Sequence, residues 1–66
     1  MKLKELIDVI PEITSVRIQI NNTLIDRCYL FTSEIEADLS DYDVTVVSVD
    51  YTRRFRLFII LEEPND

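Results

Sequence analysis

From Asp43 to Glu62 the chain reads DVTVVSVD, then YTRR, then FRLFIILE. Two runs rich in β-branched and aromatic residues flank a short polar segment, which is the pattern of a β-hairpin. Strand alternation places Val44, Val46 and Ser48 on one face of the first run and Thr45, Val47 and Val49 on the other. In the second run Phe55, Leu57, Ile59 and Leu61 share a face, and Arg54, Arg56, Phe58 and Ile60 share the opposite one. The turn is expected over Asp50 to Arg53. A strand that is apolar on both faces near its end asks for cover on both sides. The rest of the chain must supply that cover, or a second protein surface must.

The rest is short. Residues 2–10, KLKELIDVI, place Leu3, Leu6, Ile7 and Ile10 at helical spacing and predict one amphipathic helix, stopped by Pro11. A helix of two to three turns is not stable alone and must dock its apolar face on the sheet. Residues 14–20, TSVRIQI, alternate cleanly, with Val16, Ile18 and Ile20 facing inward. Asn21-Asn22 predicts the following turn, because asparagine tolerates φ > 0 and the chain contains no glycine. Residues 24–31, LIDRCYLF, are the expected returning strand, with a less regular pattern that a bulge, or partial cover of both faces, would resolve. Residues 32–39 predict a short second helix, with Ser33 and Glu36 spaced as a capping box, Thr32 as the competing cap, and Ile35 and Leu39 as its anchors. The expected fold is α+β, ordered α-β-β-α-β-β, with a four-stranded mainly antiparallel sheet and both helices on one face. A strongly curled, partly open barrel is the competing solution.

With 66 residues the chain is read as one small domain over residues 1–66, its tail 62–66 frayed. A domain of this size often needs a disulfide, a metal or a partner. The single cysteine, Cys28, excludes an intrachain disulfide, and its strand position predicts a buried small hydrophobe. There is no histidine, so a zinc site would need carboxylates around one thiol, and no imidazole can activate Cys28 or a serine as a nucleophile. Without glycine there is no phosphate-cradling loop. No cofactor, metal or catalytic residue is expected, and the chain is read as non-enzymatic. No secretion signal or membrane-length apolar run is visible, which points to the cytoplasm.

Charge offers two further candidates. The formal net charge is -6. Glu34, Glu36, Asp38, Asp41, Asp43 and Asp50 follow one another with no intervening base. Regularly presented carboxylates can compete for a basic groove that normally holds nucleic acid, or merely keep a protein soluble. Arg53, Arg54 and Arg56 near the last turn are candidate anion contacts, with Tyr29 and Tyr51 as stacking groups. Three arginines set against the overall negative charge make direct nucleic-acid binding the weaker reading. Phe58 and Ile60 are the candidate dimer surface.

The opening MKLKELIDVI, the strand SVRIQI and the late DYDVTVVSVD followed by a hydrophobic strand resemble a group of very small accessory proteins of phages and prophages of Gram-positive bacteria. The group's turns often use glycine, which is missing here. The resemblance implies a non-enzymatic accessory protein in the cytoplasm of an infected or lysogenic host. It carries over no catalytic residues. Some small acidic phage proteins inhibit host enzymes by mimicking nucleic acid. The expected function is therefore protein–protein contact, with inhibition of a host nucleic-acid-binding protein through the acidic face as its sharpest form. The alternative is a structural or assembly homodimer built on the apolar last strand.

Overall fold

The computed structural model describes residues 1–49 and 57–64. Helix α1 (Leu3–Ile7) is followed by strands β1 (Val16–Ile20) and β2 (Asp26–Tyr29). Two 3-10 turns (Thr32–Glu34 and Ala37–Leu39) then lead to β3 (Asp43–Val49) and β4 (Leu57–Glu62). The strands form one mixed sheet in the order β2-β1-β4-β3. β1–β2 and β3–β4 are antiparallel, and the two central strands, β1 and β4, run parallel. The parallel pair joins the two antiparallel pairs, and the two most buried strands sit inside while β2 and β3 form the edges. The fold is the expected α+β arrangement, with an open sheet rather than a closed barrel.

One face of the sheet carries the core. Val16, Ile18 and Ile20 of β1, Ile59 and Leu61 of β4 and Tyr29 of β2 are buried against Leu3 and Leu6 of α1 and Leu39 of the second 3-10 turn. Leu57 and Val44 pack beside them, half-buried. Helix α1 is shorter than the sequence period predicts. Beyond Ile7 the backbone tightens, with Val9 N–H donating to Leu6 O and Ile10 N–H to Ile7 O. Pro11 forbids continuation, so the last turn closes with three-residue bonds. Val9 is left exposed, while Ile10 still leans on the core.

The chain start is tied down by backbone pairing. Leu3 N–H donates to Tyr42 O at 2.9 Å, and Val44 N–H donates to Met1 O at 2.8 Å. Lys2 thereby bridges Asp43 across the first part of the outer edge of β3, and its ammonium lies 3.0 Å from that carboxylate. These bonds set the entry angle of α1 and hold Leu3 over the sheet.

Three local expectations are corrected. Asn22 does adopt φ 63, yet the β1–β2 connection runs through Ile25 and β2 starts only at Asp26. The hydroxyl of Thr23 donates to Ile20 O and accepts from Ile25 N–H, which stabilises this longer loop and leaves Leu24 fully exposed. The second helix is two 3-10 turns, without the Ser33–Glu36 capping box. Phe31 N–H donates instead to Glu34 Oε1 at 2.9 Å, while Glu36 is drawn away by β2 side chains. The irregular strand is β3, not β2. Val44 opposes Leu61 and Val46 opposes Ile60, so Thr45 is the extra residue of a β-bulge. The bulge moves Val46 to the face opposite Val44, contrary to the simple alternation.

Candidate protein-contact surface

The parallel and antiparallel registers define the second face of the sheet. Arg17 stands beside Phe58 and Gln19 beside Ile60 on the β1–β4 side. Val46 opposes Ile60 and Ser48 opposes Phe58 on the β3–β4 side, and Cys28 opposes Arg17 on the β2 side. These residues form a strip across all four strands. None of the described helices or turns belongs to the packing on this side, since α1 and the 3-10 turns contribute to the opposite core. Phe58 and Ile60, the candidate dimer residues, lie at its centre and are half-buried by their neighbours.

Arg17 gives the strip its geometry. Its Nε donates to Asp26 Oδ1 at 3.0 Å and its Nη2 to Asp26 Oδ2 at 2.6 Å, a two-pronged ion pair. Asp26 sits diagonally across the β1–β2 pair, since its direct partner is Gln19. The same guanidinium lies 5.2 Å from the centroid of Phe58. The carboxylate fixes the planar group while the ring supports its face, and each contact limits the freedom of the other. Arg17 is therefore a positioned charge rather than a freely moving one.

Cys28 lies on this open face and is exposed, contrary to the expected buried position. The β2 sequence is regular enough to place Cys28 opposite Tyr29, but the register puts Tyr29, not Cys28, toward the core.

The candidate acids are brought near bases that the linear sequence keeps distant. Asp43 pairs with Lys2, Asp41 lies 3.2 Å from Lys4, and Glu36 lies 3.1 Å from Arg27. Glu34 accepts the Phe31 N–H. Asp38 is exposed and has no ion pair among the described residues. Asp50 lies outside the described residues, as do Tyr51, Arg53, Arg54 and Arg56. The acidic segment is thus distributed among separate local pairs instead of forming one base-free surface over its described part.

The densest polar cluster was not foreseen. Tyr29 Oη donates to Glu36 Oε2, and the other Glu36 oxygen accepts from Arg27. Burial, and then the hydrogen bond to the Glu36 carboxylate, push the Tyr29 hydroxyl up to about 12. The Tyr29 hydrogen bond in turn holds the Glu36 carboxyl below its ordinary range. Chemically this is a clasp between β2 and the segment joining the two 3-10 turns: the acid stays ionised and the phenol stays protonated. The alternation of Arg27 and Tyr29 on one strand face was the available sequence signal, but nothing local to it named Glu36.

At the ends of β1 and β4, Asn21, Asn22, Thr23, Glu62 and Glu63 line an open polar recess of about 230 Å³. Among the described residues no group of three or more histidine, cysteine, aspartate or glutamate side chains is arranged to hold a metal ion. No described helix is long and apolar enough to cross a membrane. No protein-family model, curated protein or solved structure matches the chain.

Proposed function

We propose that this chain is a non-enzymatic protein-contact module that works through the open face of its sheet. The observation that carries the reading is the central apolar group of Phe58, Ile60 and Val46 on a face to which α1 and the 3-10 turns contribute no packing. The positioned Arg17–Asp26 pair at its side supplies a polar border. An apolar centre with a fixed polar edge has the anatomy of a protein interface. The acids support the acidic-face reading less, because Glu36, Asp41 and Asp43 already meet bases of their own chain. In the setting implied by the sequence resemblance, the module is a phage accessory protein in the cytoplasm of a bacterial host, and its partner is a host or phage protein.

The test is affinity capture from infected cells with three forms of the tagged chain: unaltered, Phe58→Asp, and Asp38→Lys with Asp41→Lys. Circular dichroism first establishes that each form is folded. A stoichiometric partner lost with Phe58→Asp and kept by the double lysine form is expected. Loss with the lysine form alone would transfer the function to the acidic face and overturn this reading.

A further inference from the structure

The outer edge of β3 changes character at the bulge. Before it, Met1 to Leu3 occupy the edge through the bonds to Tyr42 and Val44. From the bulge onward, the five residues Thr45 to Val49, TVVSV, include no charge and no proline. Natural sheets usually blunt a free edge with one of those devices. The opposite edge strand does so, since β2 is only four residues long and carries Asp26 and Arg27.

The peptide directions along this edge follow from the ladder. Leu57 N–H donates to Ser15 O, and Leu61 O accepts from Asn21 N–H, so the odd-numbered residues of β4 direct their backbone groups to β1. Their partners on β3, Val47 opposite Ile59 and Val49 opposite Leu57, therefore form non-hydrogen-bonded pairs with β4. The N–H and C=O groups of Val47 and Val49 point away from the sheet. Among the described residues no segment lies along that side. Ser48, opposite Phe58, directs its backbone groups inward to β4.

We propose that β3 pairs antiparallel with β3 of a second copy of this chain about a two-fold axis at Ser48. Val47 then exchanges both backbone hydrogen bonds with Val49 of the second copy, and Val49 does the same with Val47. Ser48 faces its own equivalent in a non-hydrogen-bonded pair. The sequence Val47-Ser48-Val49 is symmetric about that axis, so each side chain meets one of matching size. Val47 and Val49, 46% and 52% exposed, meet across the new ladder. Charge is compatible with self-pairing despite the net -6 of each copy. Thr45 to Val49 bear none; Asp50 follows Val49 in sequence, and the acid before the run, Asp43, is held by Lys2 at 3.0 Å. The bulge and the Met1–Leu3 segment limit the pairing, because they occupy the edge beyond it. The dimer is an eight-stranded sheet in which both open faces point the same way. It places two Phe58–Ile60 groups on one platform without using either.

Sedimentation velocity from micromolar to millimolar concentration, combined with crosslinking, tests this arrangement. The unaltered chain is expected to form a dimer. Val47→Pro removes an outward N–H and no β4 hydrogen bond, and it should abolish the dimer. Ser48→Lys places like charges directly opposite at the axis and should do the same while retaining the monomer's fold by circular dichroism. In a Cys28→Ser background, Ser48→Cys should give a disulfide-linked dimer under mild oxidation, because non-hydrogen-bonded antiparallel neighbours lie within disulfide reach. A monomer throughout the concentration range overturns the proposal. So does a dimer dissolved by Phe58→Asp but unaffected by Ser48→Lys, which would instead mean face-to-face association. Partner capture by the open face is read separately, so failure of either idea leaves the other measurable.

Discussion

Ile59 and Ile60 are adjacent in sequence and identical in chemistry, but β4 sends them to opposite sides of the sheet. Ile59 is fully buried in the core, and Ile60 is half-buried on the open face. Truncation to alanine removes about three carbon groups, worth about 2.4 kcal/mol when wholly buried at about 0.8 kcal/mol each. At Ile59 the surrounding Leu3, Ile18 and Leu61 are themselves fully buried. They cannot collapse freely, so a cavity term brings the loss to about 3–4 kcal/mol. At Ile60 a minor part of the area is already in water and solvent fills the gap, so no cavity term is added and the loss is about 1.5–2 kcal/mol. The strand propensity change is the same kind at both sites and largely cancels in the comparison. A difference of about 2 kcal/mol corresponds to roughly 8–16 °C in Tm for a domain of this size.

The assay is urea unfolding followed by circular dichroism at a concentration where the chain is monomeric. A domain of 66 residues is expected to hold only about 3–10 kcal/mol in total, so Ile59→Ala stands near the limit of folding. Ile59→Val and Ile60→Val supply a gentler pair, with an expected loss of about 0.5–1.5 kcal/mol at the buried site and less at the other. Equal losses in the monomer for both pairs would refute the assignment of an open face. A loss at Ile60 that grows with protein concentration, at an unchanged loss for Ile59, would mean that a second molecule covers the face.

Tyr29 gives the fold an alkaline limit. Its folded value of about 12 lies above the ordinary 10.0, so its stabilisation is complete below pH 10 and is lost as pH rises toward 12. Tyr29→Phe should reduce that part of the stability–pH slope, as measured by unfolding at stepped alkaline pH; an unchanged slope would remove the clasp as its source. Cys28, being exposed on the open face, is expected to react with a thiol reagent in the native protein at nearly its rate in denaturant, and a reaction that waits for unfolding would contradict its position. Asn22 holds φ 63, so Asn22→Ala is expected to cost about 1 kcal/mol and Asn22→Gly to be neutral or stabilising. Thermal unfolding of the two variants checks the sign.

Much of the sheet was legible because a period of two residues survives many local errors. The Asn21-Asn22 turn, read as two residues, would set Arg17 directly opposite Asp26. The longer loop through Ile25 instead sets Arg17 opposite Cys28, a shift of two positions along β2. A shift of two preserves every face, so the core residues Val16, Ile18 and Tyr29 remain correctly related to one another. The β3 bulge is different, because one extra residue reverses the phase. Nothing in the run DVTVVSV distinguishes Thr45 from its neighbours, and so simple alternation puts Val44 and Val46 on one face. Helical spacing similarly overran the end of α1, since Ile7 and Ile10 satisfy the same apolar stripe whether the last turn is α-helical or tightened. The acidic segment is base-free in the linear sequence because Lys2, Lys4 and Arg27 reach it only through tertiary contacts.

Thr45 links the two surfaces that distinguish this sheet. Had β3 paired with β4 without an extra residue, its alternation would run unbroken from Val44, and Val46 would share the covered face. The bulge sends Val46 beside Ile60 and enlarges the apolar centre of the open face. The same extra residue brings Val47 and Val49 into outward-directed, non-hydrogen-bonded positions, while Ser48 alternates to the open side opposite Phe58. Its hydroxyl anchors the irregularity, since Thr45 Oγ1 donates to Ile60 O at 3.1 Å. Among the described residues the one α-helix and the 3-10 turns cover a single face of the sheet. Here the phase change distributes the uncovered apolar residues of β3 and β4 between two places, the Phe58–Ile60–Val46 group and the Val47–Val49 edge. The side chains of the first group face the open side, whereas the backbone groups of Val47 and Val49 point outward in the plane of the sheet, so an edge partner and a face partner do not compete for the same residues.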